Sequence, residues 1–153
     1  MDKDNAGVIA PPPLIVAASI VAGILLDRAL PLPVAASAVV PMAGKAIVAL
    51  SFVLFGLALR EFRRHNTAIE PWRTTSAIIS RGPYRLSRNP VYLAMAMAHT
   101  GAALWANSLW LLGTLAVTMV ILTKEVIERE EAYLERKFGQ EYLDYKGGVR
   151  RWL

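Results

Sequence analysis

Residues 81–92 read Arg-Gly-Pro-Tyr-Arg-Leu-Ser-Arg-Asn-Pro-Val-Tyr, and they separate a basic loop from the longest uncharged run of the chain. The two prolines prevent a single helix from crossing this stretch. Pro90 suits the first turn of a helix, where its missing N–H costs nothing. The N–H groups of Val91 and Tyr92 would then be free at the positive end of a helix dipole. The stretch therefore predicts an anion site, while a basic loop that flanks a membrane is the alternative explanation of its arginines.

Long uncharged runs on both sides of this stretch indicate a membrane protein. The chain has 153 residues, 55% of them hydrophobic, and a crossing needs about 20 apolar residues. We expect a first helix from about Leu14 to Asp27 and a second over about 42–59. The uncharged residues 89–123 suit two short helices with a turn at Asn107-Ser108. The last helix should continue through 124–137 and end at Gly139.

These elements predict one all-α domain over residues 1–153. It is an integral membrane bundle of about four transmembrane helices plus a cytosolic C-terminal helix. The third helix carries an alanine every fourth residue, which predicts a close approach of two helices. These alanines are Ala94, Ala98, Ala102 and Ala106.

Positive charge is concentrated in one segment. Residues 60–90 contain seven arginines and two glutamates, whereas the part from Lys124 onward has seven basic and seven acidic residues. Because positive charge is retained on the cytoplasmic side, we expect the arginine loop and both termini to be cytoplasmic. This local charge argues against nucleic-acid binding. The chain has no cysteine and only two distant histidines, so we expect no metal site. Residues 1–5 lack the basic start of a secretory signal, so we expect no cleaved peptide.

Two ionisable residues lie where apolar ones are expected. Glu130 interrupts the apolar face of the last helix, where a carboxylate needs a cationic partner. A solvated helix with pairs such as Glu125 and Arg129 explains the other acidic residues, but it explains Glu130 poorly. His99 lies near the middle of the third helix, which makes it a functional candidate. The alternative for His99 is a neutral, hydrogen-bonded side chain inside the bundle.

Four motifs stand out over about residues 70–153. In chain order they are Gly82-Pro83-Tyr84, Arg88-Asn89-Pro90-Val91-Tyr92, Glu130-Glu131 and Phe138–Tyr145. They resemble the C-terminal half of the isoprenylcysteine carboxyl methyltransferase family, to which the phospholipid N-methyltransferases are related. The resemblance implies a small integral membrane enzyme that uses S-adenosylmethionine, with residues 1–60 forming two N-terminal helices and residues 70–153 the cofactor-binding core.

The resemblance also implies the site residues. Glu130 and Arg88 would position the reacting groups, and His99 and Arg129 are candidates for contact with the substrate. Two positions depart from the family pattern: Asn89 replaces a histidine of the cofactor motif, and Val126 replaces an arginine that holds the acceptor carboxylate. The residues implied to bind the cofactor are Ile78, Ile79, Tyr84, Arg88, Asn89, Pro90, Val91, Tyr92 and Glu130.

The resulting hypothesis is a methyltransferase of the bacterial inner membrane, dependent on S-adenosylmethionine. Its acceptor would be a lipophilic small molecule or a lipid-linked group, methylated at a carboxyl oxygen or a nitrogen. Val126 leaves the acceptor open. One alternative is a non-catalytic membrane protein that keeps the fold. Another is an enzyme similar to sterol reductases, some of which share an Arg-x-Pro-x-Tyr segment and use NADPH.

Overall fold

The computed structural model describes residues 6–153, so the prediction about a cleaved peptide at residues 1–5 lies outside the described residues. Six α-helices and two short helical turns account for the regular structure of this range, and the predicted all-α fold is confirmed. The turns are a 3₁₀ turn over Gly82–Arg85 and a π turn over Thr123–Ile127. The helices are α1 (Pro12–Ala29), α2 (Val39–Arg64), α3 (Pro90–Trp105), α4 (Leu109–Leu122), α5 (Glu128–Phe138) and α6 (Gln140–Gly148).

Three helices of the described chain are long and apolar enough to cross a membrane: α1, α2 and the continuous helix over Leu109–Phe138. Helix α3 has 16 residues and is shorter than an ordinary crossing of about 20 residues. The number of four crossings therefore stays a prediction. Helix α1 begins at Pro12, earlier than expected, because proline is accepted in a first turn. Helix α2 is longer than expected at both ends, with Pro41 in its first turn and Arg64 in its last.

Helices α2 and α3 touch through glycine. A Cβ atom on Gly44 would lie 2.3 Å from the backbone nitrogen of Trp105, and one on Gly101 would lie 2.7 Å from Val48 Cγ2. The alanine stripe therefore lies only partly on the face of α3 that packs against other helices, since Ala94 is buried but Ala106 is exposed. The predicted close approach exists, and two glycines create it.

The turn between α3 and α4 forms where it was predicted. Asn107 has a φ of 55°, and Ser108 caps α4 by accepting a hydrogen bond from the N–H of Leu111. The side chain of Asn107 also accepts hydrogen bonds from the N–H groups of Val34 and Ala35, both at 3.1 Å. The α1–α2 link is thus tied to the α3–α4 turn at one end of the bundle.

The opposite end, where α2 finishes in Arg60, Arg63 and Arg64, is called here the arginine-rich end. The π turn joins α4 to α5 without a break, so the last helix extends past the bundle as predicted. It ends at Gly139, whose φ of 55° stops the helix. Helix α6 follows directly, and it packs against the loop that precedes α3.

Candidate active site

A pocket lies at the arginine-rich end, between the loop before α3, the start of α3, α5 and α6. Its cavity volume is about 110 Å³, which is below the range of about 300–1,000 Å³ for small-molecule sites, so a larger ligand would extend into its open mouth. The lining residues are Phe62, Ala68, Ile69, Glu70, Pro71, Thr75, Ala77, Ile78, Ile79, Tyr84, Arg88, Asn89, Val91, Tyr92, Glu130, Glu131, Leu134, Tyr142 and Tyr145.

Eight of the nine residues predicted to bind a cofactor line this pocket. Pro90 does not, because it is buried as the first residue of α3. The fold therefore brings together residues that are up to 52 positions apart in the sequence. Their individual roles toward a ligand stay predictions. The eight are Ile78, Ile79, Tyr84, Arg88, Asn89, Val91, Tyr92 and Glu130.

The two residues predicted to contact the substrate lie elsewhere. His99 is fully buried in α3, where its Nε2 lies 3.4 Å from Thr114 Oγ1 of α4. Arg129 is exposed and donates to Glu125 at 2.7 Å, which is the pairing expected for a solvated helix face. A substrate role for either residue is a prediction that the pocket geometry does not support.

The first turn of α3 keeps its N–H groups without a side-chain cap. Asn89 occupies the N-cap position, but its side chain makes no capping hydrogen bond. Its Nδ2 donates instead to the carbonyl of Arg151 at 3.0 Å. Val91 and Tyr92 line the pocket directly after Pro90. The helix start thus offers N–H donors and a positive dipole end to an anionic group.

Glu130 lines the same pocket, and its ion pairing differs from that of the neighbouring glutamates. The hydroxyl of Tyr92 lies next to its carboxyl group. Within residues 6–153, Glu130 makes no ion pair with lysine, arginine or histidine, whereas Glu125, Glu128 and Glu131 all do. The π turn lies one turn before Glu130, and π turns often occur at functional sites. Glu130 therefore supplies an unbalanced negative charge to the pocket.

Glu131 sits between two arginines. Arg88 Nη2 donates to Glu131 Oε1 at 2.8 Å. Arg151 donates to the same carboxylate twice, at 3.1 Å and 2.7 Å. The Arg88 and Glu131 side chains are only 9% and 7% exposed, so this is a buried ionic cluster. The hydrogen bonds to Glu131 raise the pKa of Arg151, which keeps it charged.

Arg88 is therefore less available than the sequence indicated. Its Nη1 donates to the carbonyls of Lys146 at 3.1 Å and Val149 at 2.7 Å, and Nη2 is committed to Glu131. Of the Arg88 side-chain nitrogens, only Nε is buried without a hydrogen-bond partner in the described chain. A direct contact of Arg88 with a bound anion stays a prediction, and it is restricted to this one N–H.

Sequence reasoning missed Tyr142 and Tyr145 of α6. Burial raises the pKa of both phenols, so both remain protonated. The Tyr145 hydroxyl donates to the Tyr84 carbonyl at 2.8 Å, which fixes the 3₁₀ turn against α6. Their spacing of three residues on one helix face, inside the motif Phe138–Tyr145, was the available indication.

The charge of the lining is mainly negative. Three glutamates line the pocket, and Arg88 is its one basic residue. Since Arg88 and Glu131 neutralise each other, Glu70 and Glu130 set the sign of the site. Glu70 lies 3.9 Å from the exposed Arg73, so its charge is weakly compensated. The pocket thus favours a ligand that carries net positive charge.

The fold and the pocket define an integral membrane protein with an open pocket at the ends of its helices. Residues 39–141 match the family model described as phospholipid methyltransferase. Because this match covers more than half of the chain, the chain belongs to the phospholipid methyltransferase family, which makes it a membrane methyltransferase. The predicted resemblance to this group is confirmed.

A protein of Haemophilus influenzae described as uncharacterized is 44% identical to this chain over 64 residues. The alignment covers 41% of this chain and 100% of that relative. No solved structure matches the chain. The family assignment therefore rests on the family model and on the motifs that gather at the pocket.

Proposed function

We propose that the pocket binds S-adenosylmethionine and that the protein transfers its methyl group to a lipophilic acceptor that arrives from the membrane. Membership of a methyltransferase family supports the reaction class. The observation that carries the cofactor assignment is Glu130, a carboxylate that lines the pocket without a cationic partner in the described chain. Such a group is costly unless a ligand brings the missing positive charge.

The pocket offers a partner for each part of the proposed donor. S-adenosylmethionine carries a carboxylate, an ammonium group, a sulfonium and an adenine. The uncapped first turn of α3 at Val91 and Tyr92 suits the carboxylate. Glu130 suits a positive group, and Tyr84 with Ile78 forms an apolar and aromatic wall for the adenine.

Charge separates this donor from a nicotinamide cofactor. S-adenosylmethionine has two positive groups and one negative group, whereas NADPH carries several negative phosphate charges. A pocket with three glutamates, whose one arginine is already paired with Glu131, attracts the first and repels the second. A reductase similar to the sterol enzymes is therefore the weaker candidate.

The side chains of this protein would align the reactants and exclude water. When bound, the donor would supply an electrophilic methyl group on a sulfonium; an acceptor lone pair would attack its carbon in line, the methyl–sulfur bond would break, and the neutral thioether would leave. Such a displacement depends on alignment and exclusion of water more than on a strong base. Tyr92 lies beside the Glu130 carboxyl group and would help to position it. Tyr142 and the α3 start close the polar side of the site.

An amine fits the site better than a carboxylate as the methyl acceptor. Val126 is fully buried and supplies no charge at the position where the resembled carboxyl methyltransferases carry an arginine. Arg88 is occupied by Glu131. Nothing in the described lining would hold an acceptor carboxylate, whereas Glu70 would attract a protonated amine. This amine would have to lose its proton to a nearby carboxylate or to water before its nitrogen lone pair attacks the methyl group. We therefore propose N-methylation, with O-methylation as the alternative chemistry.

Titration of the purified protein in lipid nanodiscs tests the cofactor. S-adenosylmethionine should raise Tm in a concentration-dependent manner, and NADPH should not. Stabilisation by NADPH alone would favour the reductase. Stabilisation by neither compound would favour a non-catalytic scaffold.

Radiolabelled methyl donor and native membrane lipids then test the acceptor. N-methyl groups survive mild alkali, whereas methyl esters are hydrolysed and release methanol. We expect the label in the lipid fraction to resist alkali, and volatile label after alkali would overturn the proposal of N-methylation. A Glu130→Gln preparation serves as the control for label that is incorporated without the site.

A further inference from the structure

The final segment of the described chain packs against the rest of the protein. Residues Val149–Trp152, called here the C-terminal strap, lie across the segment that opens α3. The strap lies outside residues 39–141, which match the family model. Its role is therefore specific to the contacts that this chain makes.

Successive strap residues hold successive residues of the site. The carbonyl of Val149 accepts from Arg88 Nη1 at 2.7 Å, and the carbonyl of Arg150 accepts from the Arg88 N–H at 2.9 Å. The carbonyl of Arg151 accepts from Ser87 Oγ at 3.2 Å and from Asn89 Nδ2 at 3.0 Å. The strap thereby satisfies backbone and side-chain donors that would otherwise be buried without partners.

Two adjacent side chains, those of Arg151 and Trp152, anchor the strap on opposite sides. Arg151 grips both oxygens of Glu131, in the two-point geometry that favours arginine over lysine. Trp152 packs against the buried cluster that contains Tyr92 and Val126. The strap is therefore anchored to the wall of the pocket on one side and to the core of the bundle on the other.

On the basis of the proposed function, we propose that the strap positions the donor-binding wall, with Arg151 as its positioning residue. By neutralising Glu131 together with Arg88, Arg151 leaves Glu130 as the carboxylate of the pair that is available to a ligand. Its carbonyl also commits the amide of Asn89, so the side chain stays off the helix N-terminus and the first-turn N–H groups remain uncapped.

The experiment compares Arg151→Ala with Arg150→Ala. Arg150 is exposed, and its side chain donates a hydrogen bond to the carbonyl of Leu153. Its alanine variant removes the same charge but keeps the backbone carbonyl that accepts from the Arg88 N–H. We expect Arg151→Ala to raise the Kd and KM for S-adenosylmethionine by about tenfold to a hundredfold, the scale of a misplaced binding group. Arg151→Lys keeps the charge and loses the two-point grip, so it should recover part of the affinity.

The KM separates positioning from stability. A purely structural role would reduce the folded fraction and hence the maximal rate, and it would leave the KM of the remaining enzyme unchanged. An Arg151→Ala variant with the same donor KM and Kd as Arg150→Ala would overturn the proposal.

Hydrogen exchange in ligand-free protein distinguishes this proposal from the proposed function. Arg151→Ala should increase amide exchange at Arg88, whose N–H bonds to the strap, whereas Arg150→Ala should not. If the wild type binds no S-adenosylmethionine, the proposed function is wrong whatever the exchange result. If the wild type binds it and Arg151→Ala changes neither exchange nor affinity, the strap proposal is wrong and the function stands.

Discussion

Replacement of Glu130 by glutamine removes one charge and almost no volume. The amide has nearly the shape of the carboxylate, and its oxygen can accept from the neighbouring Tyr92 hydroxyl, so the local geometry should persist. Without ligand, the variant should be at least as stable as the wild type, because the carboxylate has no ion-pair partner within the described chain and its burial is unfavourable. With ligand, the variant loses a charged contact worth about 1.5–3 kcal/mol.

This loss converts into a measurable thermal shift. It weakens the Kd by about tenfold to a hundredfold. At a donor concentration of about 100 times the wild-type Kd, binding stabilises the wild type by about 2.7 kcal/mol. The variant should gain only about 0.4–1.4 kcal/mol under the same conditions. For a chain of this size, the wild-type Tm should rise by about 5–11 °C, and a hundredfold weaker variant by less than about 2 °C.

Glu125→Gln is the matched control, because Glu125 pairs with Arg129 on the exposed face of the same helix. Glu135 is unsuitable as a control, since it forms an ion pair with Lys146 of α6. Glu125→Gln should retain the wild-type thermal shift. A wild-type shift in Glu130→Gln as well would refute the assignment of this carboxylate to the donor site.

Three further predictions follow from the packing, the titration and the charge pattern. Gly44→Ala should destabilise the protein by about 1–3 kcal/mol, because its Cβ would overlap the α3 backbone. Gly56→Ala on the same helix meets nothing within 4 Å and should not destabilise it. Equal Tm values for the two variants would contradict the close contact between α2 and α3. Burial raises the pKa of Tyr142 and Tyr145 above the ordinary value of about 10, so the unfolded chain releases these protons at lower pH than the folded chain. The free energy of unfolding should therefore fall as pH rises above about 10, and it should fall less steeply in Tyr142→Phe. Reporter fusions after residues 107 and 153 should lie on opposite sides of the membrane, and a shared side would exclude four crossings.

Local rules predicted the elements and most of the pocket. Proline at the start of α3, the turn at Asn107 and the stop at Gly139 follow from backbone preferences that act over a few residues. The apolar face around Glu130 placed this carboxylate correctly on the packed side, since Val126 and Tyr133 are both buried. These features were readable because each depends on neighbours along one helix.

The glycine contact between α2 and α3 was not readable, because it requires knowledge of which two helices meet. Gly44 and Gly101 are 57 positions apart, and the sequence does not distinguish them from helical glycines that face open space, such as Gly56 of α2 and Gly113 of α4. The alanine repeat was a more regular pattern and drew the prediction to a neighbouring face. Periodicity identifies a face, but only the partner decides which residue of that face is at the point of closest approach.

Arg88 illustrates the same limit at the site and shows why the paired glutamates differ. In sequence, Arg88 stands beside the opening of a helix, and a role in binding an anion is the natural interpretation. In the fold, Arg151 arrives from 63 positions away and completes a buried cluster in which two arginines share Glu131. That cluster removes one carboxylate and one guanidinium from the ligand-binding surface together. Glu130, one residue earlier on the helix, lies out of reach of both arginines. The two glutamates therefore differ in their partners, since the strap supplies Arg151 to Glu131 and neither arginine pairs with Glu130 within the described chain.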